Sequence, residues 1–140
     1  MINKSSSKSP LFLMELTIVI LFFSLCSAIC MNIFASSQIT SQKATSLTGS
    51  VLACQSVSAV YKAENGDLEK VASILDGEFN DNTVIINYTT KWERTTDALA
   101  PCYISLVKDA ESSDAIISAH NESEETELFL IKVKLVEVAQ

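Results

Sequence analysis

The first pattern along the chain is an apolar stretch at residues 11–34, in which Glu15 is the only charged side chain. A helix of these 24 residues would be about 36 Å long, which exceeds the roughly 30 Å hydrocarbon core of a bilayer. The alternative, a cleaved secretory signal, has an apolar core of only about 7–15 residues. The length therefore predicts a retained membrane-spanning helix.

The sequence after Phe34 becomes polar, but no proline interrupts it before residue 63, and apolar side chains recur every three or four positions. This spacing predicts an amphipathic helix that continues from the membrane segment. Gly49 and several Ser and Thr residues lower its intrinsic helicity, so packing along the apolar stripe must stabilise it. The predicted stripe contains Leu47, Val51, Cys54, Val57 or Ser58, and Tyr61.

A second, shorter helix is predicted at Leu68–Leu75, where four apolar residues fall on one face. The turn-forming residues 64–67, with the sequence ENGD, precede it, and Asp76 and Gly77 end it. The residues on its predicted buried face are Leu68, Val71, Ala72 and Leu75.

Four runs rich in β-branched and aromatic residues follow, at residues 82–92, 102–109, 114–120 and 127–138. Polar, turn-rich segments separate them. In the last run apolar and lysine side chains alternate, which is typical of a half-buried antiparallel strand. Its predicted inner face carries Phe129, Ile131, Val133 and Leu135, and its outer face carries Lys132 and Lys134.

The apolar stripe of the long helix and one face of the sheet both need a cover, and the simplest arrangement packs one against the other. The predicted fold class is therefore α+β: a long N-terminal helix, membrane-spanning in its first half, packed on a roughly four-stranded antiparallel sheet. The predicted segments are a basic leader-like segment at 1–10, a transmembrane helix at 11–35 and an extracytoplasmic domain at 36–140.

Charge is distributed unevenly along the chain. Residues 1–35 carry Lys4 and Lys8 against Glu15, whereas residues 36–140 carry a net charge of −8. The basic residues before the apolar stretch predict a cytoplasmic N-terminus and a domain outside the membrane. The acidic domain should repel nucleic acid, so direct binding to nucleic acid is not expected.

The segment LFLMELTIVILFFSLCSAI at residues 11–29 resembles the N-terminal segment of type IV pilins and type II secretion pseudopilins. That resemblance implies a basic leader, a peptidase cut and a glutamate at the fifth position of the mature chain, which places the cut between Pro10 and Leu11. The family has glycine before the cut, where this chain has proline, which alters the backbone there. A processed chain and a full-length chain are therefore both expected as alternatives.

The resemblance also implies a role for Glu15 in assembly, because the family's glutamate pairs with the freed N-terminal amine of a neighbouring subunit. A charge at the centre of a membrane helix costs about 2.5–3.5 kcal/mol on insertion scales, and a partner recovers part of this. Without cleavage the carboxylate would need Lys8, a proton or a basic group on another subunit. The alternative is that Glu15 simply reaches the lipid headgroups.

The four cysteines offer two kinds of pairing. Cys26 and Cys30 lie one turn apart on the membrane helix, where small apolar packing is expected, with cross-linking between copies as the alternative. Cys54 and Cys102 both lie in the exterior domain. They are candidates for a disulfide in an oxidising compartment, or for two buried free thiols.

Candidates for catalysis and for metal binding are few. His120 is the only histidine and therefore the only candidate base for a Ser-His or Cys-His arrangement. The acidic run at 120–127 lacks the spacing of a calcium loop and is interpreted as a solvated turn. The chain is therefore not expected to be an enzyme, and no cofactor or metal is predicted.

These features together predict a structural subunit of a pilus-like or pseudopilus-like filament, assembled through the apolar helix. Its partners would be the lipid bilayer and sibling pilin-like subunits, and its location the cell membrane, as a single-pass protein, or a cell-surface filament. The alternative is a standalone single-pass membrane protein whose external domain binds a ligand or a partner.

Overall fold

The computed structural model describes residues 8–122 and 124–135, and the chain forms two units, Met1–Gln42 and Lys43–Gln140. The first helix, α1, is Lys8–Ala63 and therefore contributes residues to both units. Pro10 lies within α1, whose described part begins at Lys8. The remainder of the predicted leader, including Lys4, lies outside the described residues.

The second helix, α2, is Leu68–Leu75, as predicted. The Asp67 side chain accepts a hydrogen bond from the Lys70 N–H at its start, which caps one of the N–H groups that the first turn leaves free. Asp76 adopts a left-handed conformation at its end, with a φ of 52°, and the N–H of Gly77 donates to the carbonyl of Ala72. The four residues on the predicted face are all buried.

Within the described residues, five strands form one antiparallel sheet in chain order. They are β1 (Glu78–Asn80), β2 (Thr83–Tyr88), β3 (Cys102–Lys108), β4 (Ala115–Asn121) and β5 (Glu124–Val133). Four strands agree with the predicted runs, and β1 is an additional short edge strand. The predicted last strand extended to residue 138, but β5 ends at Val133, and residues 136–138 lie outside the described residues.

The first predicted β run, residues 82–92, is shorter in the structure. β2 ends at Tyr88 because the chain turns there: the Trp92 N–H donates to the Thr89 carbonyl at 2.9 Å, and the Thr89 N–H donates to the Glu93 carbonyl at 2.8 Å. Trp92 therefore belongs to a tight turn rather than to a strand.

The core of the second unit lies between the C-terminal part of α1, α2 and one face of the sheet. Buried residues of α1 include Cys54, Val57 and Tyr61, as predicted. The predicted stripe is wrong at its start, because Leu47 is exposed and Val51 is only half-buried, whereas Ser50 and Ala53 are buried. From the sheet, the inner side chains Val84, Ile86, Ile104, Leu106 and Ile117 complete this core.

Candidate functional site

The N-terminal half of α1 exposes an apolar surface. Every large apolar side chain from Leu11 to Phe34 is exposed, from 45% at Leu16 to 73% at Phe23. An 18-residue window of this helix has a mean hydropathy of 2.4, and none of it is buried within the chain. A helix that is apolar on all sides requires an apolar environment, which a bilayer or other apolar helices can supply. This helix is long and apolar enough to cross a membrane.

Glu15 lies on this apolar surface. The side chains one turn away on either side, Leu11, Phe12, Ile18 and Val19, are all exposed and apolar. Among the described residues its carboxylate has no ion-pair partner, and Lys8 is two helical turns, or about 10 Å, away along the axis. The described part of the chain therefore presents an exposed acid within an apolar surface and gives it no positive partner.

The expected cleavage position, between Pro10 and Leu11, lies within the described part of α1. A peptidase that binds its substrate in an extended conformation would have to unwind the helix at this peptide bond.

The cysteines divide into two exposed and two buried thiols. Cys26 and Cys30 are exposed on the apolar half of α1, and Cys54 and Cys102 are buried in the core of the second unit. All four are free thiols in the structure. Burial raises the pKa of Cys54 to about 11 and also raises the pKa of Cys102, so both thiols resist ionisation at neutral pH.

His120 has neighbours that the sequence pattern did not indicate. Its Nε2 lies 3.0 Å from Ser118 Oγ, which in turn lies 2.8 Å from Ser105 Oγ. The imidazole also stacks on Tyr103, with ring centroids 4.8 Å apart. The register between β3 and β4 explains these contacts, since Ser105 pairs with Ser118 and Tyr103 with His120. Residues on neighbouring strands approach one another in a way that sequence spacing alone does not reveal.

The geometry around His120 differs from that of a catalytic triad. Glu127 Oε1 lies 4.0 Å from Nε2, which is also the nitrogen that contacts Ser118. A triad needs the carboxylate on the opposite ring nitrogen, where it orients the base. Ser118 is also only 6% exposed. The arrangement is therefore that of a polar network on the sheet.

Comparisons with protein-family models, curated proteins and solved structures find no match.

The function must therefore be inferred from the side chains that the chain exposes or brings together. In the described part of the chain, no group of three His, Cys, Asp or Glu side chains is placed to hold a metal ion. The feature with the clearest physical consequence is the exposed apolar helix with its single carboxylate. It exposes apolar side chains on all sides, and among the described residues Glu15 has no ion-pair partner.

Proposed function

We propose that this protein is a structural subunit of a pilus-like or pseudopilus-like filament. It is anchored in the bilayer by residues 11–34, with the N-terminus in the cytoplasm and residues 36–140 outside. The observation that carries the proposal is the position of Glu15 on an exposed apolar helix, together with the resemblance of residues 11–29 to pilin N-terminal segments.

Lipid chains can cover the apolar surface of α1, but they cannot hydrogen-bond or neutralise a carboxylate. A neighbouring subunit can supply both an apolar helix and a positive group for Glu15. In a processed chain that group is the amine at Leu11 of the neighbour. In a full-length chain a basic side chain of the neighbour would take this role. Pairing of this kind sets the axial position of one subunit against the next.

A second candidate is a standalone single-pass protein whose external domain binds a ligand or a partner. Pro10 favours it, because proline stands where the pilin family has glycine at the cut. The intact mass of the protein, extracted from its native membranes, distinguishes the filament subunit from the standalone protein. A chain that begins at Leu11 supports the filament subunit, and a full-length chain favours the standalone protein or an unprocessed relative of the pilins.

Co-isolation from native membranes tests the assembly role. Glu15→Ala should leave membrane insertion intact and abolish co-isolation of sibling pilin-like subunits with an affinity-tagged chain. Thr17→Ala is the matched control, since Thr17 is also an exposed polar residue of this helix, and its hydroxyl donates to the Leu13 carbonyl of the same helix at 2.8 Å. Equal co-isolation by the Glu15→Ala chain and by the control would contradict the proposal.

A further inference from the structure

A cleft of about 370 Å³ opens on the second unit between α1 and the turn that follows β2. Its volume falls within the range of small-molecule sites. The wall from α1 contains Gly49, Leu52, Ala53 and Ser56, and the opposite wall contains Tyr88, Lys91, Trp92 and Arg94. The proposed assembly function uses none of these residues.

The indole of Trp92 is fixed in this cleft by contacts on both sides. Its Nε1–H donates to Ser46 Oγ at 3.2 Å, and its ring lies 5.8 Å from that of Tyr88, centroid to centroid. The backbone of Trp92 has a φ of 61°, a left-handed conformation that bulky residues rarely adopt. Such strain persists only where the surroundings hold it, and it is concentrated at functional sites.

Two cations line the same cleft in a domain that is strongly acidic. Lys91 and Arg94 flank Trp92 within four consecutive residues, and Arg94 is the only arginine of the chain. Within the described residues neither cation has a carboxylate partner, whereas Lys70 and Lys132 pair with Asp67 and Asp114. The guanidinium of Arg94 donates to the Ile74 carbonyl at 3.4 Å, which leaves most of its five donors free.

Tyr88 adds a buried hydroxyl with no partner. The residue is 2% exposed, and among the described residues its Oη has no hydrogen-bond partner. Buried hydroxyls are nearly always bonded, so an isolated one requires an explanation. Burial raises the pKa of Tyr88 to about 12, so the hydroxyl stays protonated at neutral pH and Tyr88 forms the neutral floor of the cleft.

The remaining wall is apolar. Leu52 is 60% exposed although it borders the cleft, and Ala53 and the indole lie beside it. The cleft thus combines a guanidinium and an ammonium with aromatic and aliphatic surface. Arginine binds carboxylates through two parallel hydrogen bonds, which makes a carboxylate the best match to the polar part.

We infer that this cleft is a binding site for a small organic acid, that is, a carboxylate carried on an apolar or aromatic body. Lys91 and Arg94 bind the carboxylate, and Leu52 with the exposed edge of the Trp92 indole covers the body. This inference does not depend on the assembly role of Glu15.

Titration of the full-length chain in an uncharged detergent tests this site. The probe is 3-phenylpropanoate, and the readout is the Nε1–H resonance of Trp92 in a ¹⁵N–¹H NMR spectrum, which is unambiguous because the chain has one tryptophan. The resonance should shift saturably with 3-phenylpropanoate and not with 3-phenylpropylamine, which has the same ring but a positive charge. No saturable shift, or equal shifts with the two probes, would overturn the inference.

Variants test the assigned residues. Lys91→Gln/Arg94→Gln should weaken binding of 3-phenylpropanoate by roughly tenfold or more, since charged hydrogen bonds are lost. Lys62→Gln/Lys134→Gln is the control, because it removes the same charge from two exposed lysines that do not line the cleft. The single variants Lys91→Gln and Arg94→Gln should each weaken binding by a smaller factor. Equal affinity of the double variant and the control would contradict the assignment.

Discussion

Trp92 lies directly against Gly49 of α1. A Cβ added to Gly49 would come within 2.6 Å of Trp92 Cδ1 and 2.8 Å of Cγ, distances that carbon atoms cannot share without movement. Only glycine lets the indole pack so close to the helix. The turn after β2 is therefore attached to α1 by this contact and by the hydrogen bond from Trp92 to Ser46.

The first prediction concerns Gly49→Ala. In an exposed helix this change stabilises by about 1 kcal/mol, because alanine is the better helix former. Here the added methyl displaces Trp92, and overpacking of this kind typically costs about 1–3 kcal/mol. We expect a net loss of stability, measured as a lower midpoint in thermal unfolding followed by far-UV circular dichroism.

The sign of the change should reverse in a Trp92→Ala background. With the indole removed, Gly49→Ala should raise the midpoint, and the double-mutant cycle should give a coupling free energy of the order of 1–3 kcal/mol. A stabilising effect of Gly49→Ala in the wild-type chain would contradict the close packing of these two residues.

The second prediction compares two buried tyrosines. The Tyr61 hydroxyl donates to the Ser113 carbonyl at 2.9 Å, whereas the Tyr88 hydroxyl has no partner among the described residues. Tyr61→Phe should therefore lower the free energy of unfolding by about 1 kcal/mol, and Tyr88→Phe should leave it unchanged or raise it. Urea unfolding followed by Trp92 fluorescence measures both. A larger loss for Tyr88→Phe would show that its hydroxyl is bonded within the fold.

The third prediction concerns the two buried thiols. In a Cys26→Ser/Cys30→Ser chain, Cys54 and Cys102 should not react with a maleimide reagent while the domain is folded. Both should react in urea without prior reduction, because they are free in the structure. A gel shift with a maleimide polymer counts the labelled thiols. Labelling that appears only after reduction would indicate a disulfide instead.

The fourth prediction is a loss of stability at alkaline pH. The pKa of Cys54 is raised in the folded state to about 11, from about 9, so above pH 9 the unfolded chain loses this proton first. The contribution of this thiol to the free energy of unfolding should be fully present below pH 9. It should fall as the pH rises toward 11, by at most about 1.4 kcal/mol per pH unit.

Cys54→Ala serves as the control for this pH dependence. Its free energy of unfolding should fall less steeply between pH 9 and 11 than that of the wild-type chain, because the thiol that ionises in this range is absent. Parallel curves for the two chains would contradict the assignment to Cys54. Tyr88→Phe should reduce the loss at still higher pH, since burial raises its pKa to about 12.

The helices and strands in which apolar residues recur at a regular spacing could be predicted from the sequence. The spacing of Leu68, Val71, Ala72 and Leu75 defines α2, and the alternation of apolar and polar residues indicates the C-terminal half of β5. β1 could not be predicted, because three exposed residues have no alternation to detect and form a strand only by pairing with β2. Its existence depends on tertiary contacts rather than on local preference.

The residues that line the cleft could not be predicted from the sequence either. Aromatic residues are common in strands, and the sequence predicts Trp92 as the last residue of the first strand. In the structure, hydrogen bonds donated by the N–H groups of Thr89 and Trp92 close a turn there instead. Its contact with Gly49 joins residues far apart in the chain, as does the meeting of Ser118 and Ser105 beside His120. Glu15 could be singled out at once, because a lone acid in an apolar stretch is a local feature.

Photo-cross-linking within native membranes tests the central claim most directly. A benzoylphenylalanine placed at Phe23, which is 73% exposed on the apolar helix, should form light-dependent adducts with other protein subunits in the cells that make this chain. Glu15→Ala should abolish these adducts, and Thr17→Ala should not. The same probe at Phe79, in the edge strand of the domain, reports contacts that do not involve the helix. Adducts at Phe23 with lipid alone would contradict assembly through this helix.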